Sequence, residues 1–307
     1  MGKKVMVIGG TYFAGRVFAM LASRNAGFEL TFVNRGHYSM DHLPNVTEYK
    51  CDRHNIAGLR ALPVEEYDAI VDFCAYEPGD VRNLLENLHS KFHQYIYVST
   101  ADVYDRSIRT PKDETAPLQT CQSQCNSGEY MFKKMLLEGE SREVCEQLGV
   151  ALTILRPAFI FGPYNYAPRE SYFIEKIVKH EPIPVPTDSD SQFQFVYVKD
   201  VGNAIIACVN DREKAAGEAY NLCAPEVMTY GKYMDVLRKV SDIPFETTPV
   251  TVEEVIRENI PLPFPLVASE DELYIGTKIV RELGLAYTPF EEAMEKTYVA
   301  FKGVYDR

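Results

Sequence analysis

Short runs of branched and aromatic residues alternate with longer stretches of helical periodicity through the first half of the chain. Residues 5–8 read as a strand and 14–25 as a helix, followed by strands at 30–33 and 47–50. Residues 69–73 give a further strand, 80–88 a helix, 95–99 a strand, 127–147 a long helix, and 151–155 a return to strand. Strands separated by amphipathic helices form βαβ units, which lay parallel strands side by side and cover both faces with helices. Beyond Pro163 the pattern changes: prolines cluster at 182, 184 and 186, then at 261, 263 and 265, and helical stretches dominate between irregular segments. Residues 195–198 still read as a buried strand, with Asp200 as cap of a helix starting at Val201, so the chain is expected to rejoin the first domain there. The predicted division is a first domain of residues 1–165 with 193–222 returning to it, and a smaller, mostly helical second domain of 166–192 and 223–307. No internal repeat or low-complexity tract interrupts this reading.

With 307 residues, 46% hydrophobic and 25% charged, the chain has material for one large core or two unequal ones and is not disordered by composition. A formal net charge of −12 repels a phosphate backbone, and the basic runs are no longer than Lys3-Lys4 and Lys133-Lys134, so nucleic acid is a disfavoured partner. No apolar stretch approaches the roughly 20 residues of a membrane span, and Met1-Gly2-Lys3-Lys4 lacks the apolar core of a signal peptide. A cytoplasmic location is the expectation. Seven cysteines do not suggest structural disulfides: Cys74 and Cys208 sit in apolar segments, and the Cys121/Cys125 spacing lies in a polar stretch without a second pair. His89 and His93 straddle a predicted helix end, a weak pattern for a ligand pair, and no metal site is expected.

Directly after the first strand comes Gly9-Gly10-Thr11-Tyr12-Phe13-Ala14-Gly15, opening a helix. A glycine turn at this junction aims backbone N–H groups and the positive helix end at a pyrophosphate, and Gly15 permits close helix–strand packing. The fold class is therefore α/β, a Rossmann doubly wound parallel sheet with a smaller helical domain, and the expected cofactor is NAD(P). Tyr12 stands where such loops usually carry a glycine, so the loop either directs the phenol outward or binds less tightly. The second strand ends in Asn34-Arg35 rather than in an acid. A neutral amide beside a guanidinium suits a 2′-phosphate better than a carboxylate would, which favours NADP over NAD, with Arg16 as a second contact. Both arginines also read as plain surface residues. Asp52, past the third strand, either accepts the adenine amino group or forms a local turn.

Tyr130-Met131-Phe132-Lys133-Lys134 places a phenol and an ammonium at i, i+4 on one helical face. A nearby cation would lower the phenol's pKa and make it a general acid/base for an alcohol or ketone during hydride transfer. The fifth strand ends Val98-Ser99-Thr100-Ala101-Asp102, delivering hydroxyls to the carboxyl edge of a parallel sheet, where such folds bind ligands. Thr100 there either bonds the reacting oxygen or caps a neighbouring turn.

With these residues in place, the sequence resembles an extended short-chain dehydrogenase/reductase of the NAD-dependent epimerase/dehydratase family over nearly its whole length. Leu155 to Pro163, Phe195 to Val201 and Gly217 to Leu222 carry further likenesses. The resemblance implies a Thr100, Tyr130, Lys134 triad, with Lys134 also holding the nicotinamide ribose and Cys74, Ala75 and Pro157 flanking the cofactor. It implies an oxidoreductase or isomerase acting on a sugar or nucleotide-sugar-like small molecule, with a homodimer one assembly open to it. Departures narrow this. Family 4,6-dehydratases carry Thr-Asp-Glu where this chain has Thr100-Ala101-Asp102, and Ala101 has no proton to give, so an epimerase or reductase is the expectation. The arginines that usually clamp a diphosphate are missing: one position holds Phe193, and 261–274 contains none. The substrate is thus expected to be smaller or less anionic, or Arg169 and Lys278 substitute. Tyr164, Tyr166 and Tyr172 either line a sugar-stacking pocket or cover a lid. The Gly-Gly-Thr-x-Phe-x-Gly and Asn34-Arg35-Gly36 pattern also resembles chloroplast stem-loop RNA-binding proteins, which keeps a catalytically weak cofactor-binding scaffold or an RNA binder as the alternative.

Overall fold

The computed structural model describes residues 2–25, 27–108, 111–124, 127–271 and 273–306. Its centre is a sheet of seven strands, β1 (Lys3–Ile8), β2 (Phe28–Asn34), β3 (Val46–Lys50), β4 (Ala69–Asp72), β5 (Gln94–Val98), β6 (Ala151–Pro157) and β7 (Ala219–Leu222). Their spatial order is β7-β6-β5-β4-β1-β2-β3, and every neighbouring pair is parallel. The order reverses between β1 and β4, so the crossovers on either side of that point leave a crevice at the carboxyl ends of the strands.

The strand residues are apolar on both faces, as a doubly covered sheet requires. Val5 and Val7 join one core and Met6 and Ile8 the other; Ile96 and Val98 divide from Tyr95 and Tyr97 in the same way. The main helices are α1 (Phe13–Ala22), α2 (Asp80–Asn87), α3 (Gly128–Leu148), α4 (Glu170–Val178), α5 (Val198–Asn210), α6 (Tyr230–Val240) and α7 (Phe290–Tyr305). α1 and α5 pack together and put Phe18, Ala19, Val201 and Ile205 into the first core. α2 and α3 pair on the other face and supply Leu84, Leu85, Leu137 and Val144.

Three elements differ from the expectation. α1 stops at Ala22, where the chain turns with Asn25 N–H donating to the Ala22 carbonyl. Residues 195–197 are a strand, but they pair in parallel with Phe159–Phe161 in a separate small sheet, so the chain rejoins the main sheet through α5 and β7. Asp200 does not cap a helix from Val201. Tyr197 is the extended residue before the helix, so Asp200 falls in the first turn of α5, where its buried carboxylate accepts 2.8 Å bonds from the Thr288 N–H and hydroxyl.

The C-terminal helices close over an aromatic core. Phe264 stacks on Phe193 at 4.8 Å between centroids and meets Phe195 and Tyr233 at 5.1 Å, while Phe161 and Phe290 lie 5.0 Å apart. Among the described residues, no helix is long and apolar enough to cross a membrane.

Candidate functional site

The loop after β1 has the backbone its glycines allow. Gly9 and Gly10 lie at φ +70° and +67°, and a Cβ on Gly9 would meet the Cys74 sulfur at 2.7 Å. A Cβ on Gly15 would come within 2.2 Å of the Gly10 Cα, so the start of α1 sits directly on the loop. Tyr12 adopts an extended backbone and turns its phenol outward. The ring is 42% exposed, stacked 5.1 Å from Tyr38 and tilted 5.6 Å from Tyr166. Outward direction, the first of the two possibilities the sequence left open, is the one adopted.

Two cavities meet under this loop and share Thr11, Tyr12, Cys74 and Tyr76 in their walls. The first, about 320 Å³, brings Gly10, Phe13 and Gly15 together with Thr100, Tyr130, Lys134 and Pro157. The second, about 600 Å³, is bounded by Gly9, Asn34, Arg35 and Asp52. Ala75 lines neither. It is fully buried in the core, its carbonyl accepts the Lys134 ammonium at 3.1 Å, and Tyr76 forms the wall at that point.

At the second cavity, Asn34 is already engaged: its amide donates to Glu48 at 2.6 Å, and its oxygen accepts the Gly36 N–H. Glu48 arrives from β3 and also accepts from the Ser39 hydroxyl and the Met40 N–H. Arg35 is exposed on the cavity wall. Arg16 points elsewhere, with its guanidinium against Met40 sulfur at 3.9 Å and over the Tyr164 ring at 5.3 Å. Asp52 both lines the cavity and forms a turn, accepting the His54 N–H at 2.9 Å, which holds its carboxyl below the usual range. Behind it, Arg53 makes a buried two-pronged contact with Asp72, both bonds 3.0 Å, and Tyr95 donates to the same carboxylate.

At the first cavity, one face of α3 carries Tyr130, Lys134 and Glu138 at successive turns. The Lys134 ammonium is buried and donates to the carbonyls of Ala75 and Val98 at 3.1 and 2.9 Å, and burial brings its pKa down to about 8. It lies 4.7 Å from the Tyr97 ring centroid, 5.0 Å from that of Tyr76 and 6.0 Å from that of Tyr130. The expectation of an acidified phenol is corrected here: burial, with Tyr76 and Asp102 alongside, pushes the Tyr130 pKa above its ordinary value. The ammonium is aimed at two backbone carbonyls, and the positive charge of Arg169 only partly offsets the rise. Thr100 lines the cavity and also caps, since its oxygen accepts the Asp102 N–H at 3.2 Å while its hydroxyl donates to the Asp102 carboxylate at 3.1 Å.

Several residues of the site had no signal in the sequence. Glu138 and Arg156 form a buried two-pronged ion pair at 2.9 and 2.6 Å, with the Ser99 hydroxyl on Glu138 and the Tyr104 hydroxyl on the Arg156 side. Asp102 and Asn165 face the first cavity. Glu170, at the start of α4, is buried and accepts from the Gly162 N–H at 2.8 Å and the Asn165 amide at 3.0 Å. Burial lifts its pKa to about 7, against the pull of those bonds. Its neighbour Arg169 lines the cavity, whereas Lys278 is bonded to Glu218 and the Ala219 carbonyl, away from both cavities. Tyr166 also lines the first cavity; Tyr164 lies under Arg16, and Tyr172 packs on Phe173. Phe193 is sealed in the aromatic core. His93 bonds Glu66, no metal-holding cluster occurs among the described residues, and Cys125 lies outside them.

A doubly wound parallel sheet with a glycine loop at its switch point, and a Tyr-x-x-x-Lys helix beside it, defines the class as a Rossmann-type α/β protein. A family profile described as the NAD dependent epimerase/dehydratase family matches residues 5–223, and the chain belongs to that family of NAD-dependent enzymes. It is 27% identical over 256 residues to the chloroplast stem-loop binding protein of 41 kDa b of Arabidopsis thaliana, an alignment spanning 79% of this chain and 64% of that relative. It is 23% identical over 250 residues to dTDP-D-glucose 4,6-dehydratase of Mus musculus, covering 72% and 68% of the two chains. The solved structure of UDP-glucuronic acid 4-epimerase from Bacillus cereus, in complex with UDP-glucuronic acid and NAD, superposes with a TM-score of 0.77 at 15% identity, covering 98% of this chain and 100% of the other.

Proposed function

We propose that the groove binds NAD(P) and that the chain acts as an epimerase or an alcohol/ketone oxidoreductase on a sugar or nucleotide-sugar-like substrate. The observation that carries this reading is one continuous groove across the glycine loop, with Thr100, Tyr130 and Lys134 at one end and Asn34, Arg35 and Asp52 at the other. The residues fit a dinucleotide: side chains at Gly9 and Gly15 would fill the cradle, and the backbone N–H groups of α1's first turn face it. Gly9, Gly10, Thr11, Tyr12, Phe13 and Gly15 would hold the pyrophosphate, Asn34, Arg35 and Asp52 the adenosine, and Cys74 and Pro157 the nicotinamide end. When bound, the cofactor supplies hydride transfer.

This chain's own residues handle the proton. With its pKa raised, Tyr130 is protonated at neutral pH and ready to donate to a substrate oxygen. To accept a proton it must first lose its own, and Lys134 and Arg169 are the cations placed to favour that. Thr100 orients the same oxygen, and Glu138, pinned by Arg156, fixes the helix face on which Tyr130 and Lys134 stand. Ala101 is buried and has no proton to give, which supports epimerisation or reduction over dehydration. The choice of NADP over NAD rests on Arg35 alone, since Asn34 is committed to Glu48 and Arg16 faces Met40.

Mass spectrometry of nucleotide released from the purified protein should find NAD or NADP. Tyr130→Phe should keep that nucleotide and lose turnover about 100-fold or more on a substrate found by screening; unchanged turnover would overturn the reading. The Arabidopsis relative's name favours a second reading, stem-loop RNA binding. A net charge of −12 opposes it, and a salt-dependent gel shift with stem-loop RNA would be its evidence.

A further inference from the structure

Among the cationic side chains around the first cavity, Lys134 is spent on two backbone carbonyls, and Lys133, on the outer side of α3, is paired with Glu77 and Glu129. Arg169 is different. It reaches the cavity from the turn before α4, its guanidinium rests over the Phe159 ring at 5.1 Å, and one N–H donates to the Ile160 carbonyl at 3.3 Å. No carboxylate lies within ion-pair distance of it, although the next residue is a glutamate, because Glu170 is turned inward onto Gly162 and Asn165. By contrast, the buried Arg53 and Arg156 each hold a carboxylate with two N–H bonds. Arg169 therefore presents an unmatched, half-buried guanidinium to the space beside Tyr130, opposite the carboxylate of Asp102. A guanidinium so placed, its planar face set by an aromatic ring, suits two-pronged bonding to a carboxylate or phosphate.

The cavity volume adds a limit. About 320 Å³ is at the lower end for ligand pockets, and it must also admit the cofactor's reactive end. We propose that Arg169 is a specificity-determining residue that binds an anionic group carried on the reacting sugar itself, so that the substrate is a compact sugar acid or sugar phosphate rather than a neutral sugar. Asp102 and Thr100 face the hydroxyls of the same ring. This deepens the proposed function and rests on it.

The test is calorimetric titration of the cofactor-loaded protein with glucuronate, glucose 6-phosphate, glucose and UDP-glucuronic acid. At least one free anionic sugar should bind tenfold or more tighter than glucose, and comparing glucuronate with glucose 6-phosphate tells carboxylate from phosphate. Arg169→Gln should erase the preference, a loss of about 10- to 100-fold for a charge-assisted contact, and Arg169→Lys should restore part of it. Equal binding of the anion by wild type and Arg169→Gln would overturn the proposal. So would wild-type binding of glucose as tight as that of the anions, or binding of UDP-glucuronic acid with none of the free sugars. Titration of NAD and NADP into the same variants separates the two readings: absent cofactor binding overturns the proposed function, while lost anion selectivity with cofactor binding intact overturns only the role of Arg169.

Discussion

Replacing Glu170 by glutamine isolates one buried acid whose ionisation opposes folding. The carboxyl is 1% exposed and its pKa is lifted from 4.5 to about 7 by burial. The sign follows from proton binding: between pH 4.5 and 7 the folded chain holds a proton on this group that the unfolded chain has released, so the group's contribution to stability is complete below about pH 4.5 and is lost as pH rises to about 7. At ~1.4 kcal/mol for each pH step of separation, the whole loss is about 3 kcal/mol. Carboxylates held low, such as Asp68 and Asp80, push stability the other way, so the raw curve mixes both. Subtracting the Glu170→Gln curve removes them. Urea unfolding of both proteins from pH 4.5 to 7.5 should show the wild type losing about 3 kcal/mol relative to the variant across that interval. Parallel curves would refute the reasoning, because they would mean that Glu170 titrates alike in the folded and unfolded chains.

Three further outcomes follow from other contacts. Glu138→Gln strands the Arg156 charge in the core and should cost about 3–5 kcal/mol in urea unfolding. Phe264→Ala empties the middle of the aromatic core and should cost about 3–5 kcal/mol, read as a fall in melting temperature. Arg35→Ala should weaken NADP binding about tenfold and leave NAD nearly unchanged in parallel titrations; equal effects on both would remove the basis for an NADP preference.

The parts of the site that were legible in the sequence are those whose determinants are local. A strand, a glycine turn and a helix follow one another within residues 3–22, and the positive φ values of Gly9 and Gly10 match what the turn needs. Tyr130 and Lys134 share a helix, so their spacing alone placed them on one face. What stayed hidden depends on register between distant segments. Glu48 reaches Asn34 only because β2 and β3 pair with Phe32 opposite Glu48. Lys134 was expected to act on the phenol, but its partners are carbonyls after β4 and at the end of β5, and backbone acceptors leave no trace in residue identity. The strand at 195–197 was recognisable as a strand, yet its partner at 159–161 was not, since apolar content shows burial without showing which edge it meets.

The outward ring of Tyr12 has a kinetic consequence. It touches Tyr38, which follows β2, and Tyr166, from the segment leading into α4, so its contacts join two distant stretches of chain above the seam of the groove. A long ligand threading beneath must part at least one of these stacks on arrival and again on departure, each worth ~1 kcal/mol. Residence is thereby lengthened at both ends of the visit, which suits a coenzyme that is reoxidised in place and stays through many turnovers.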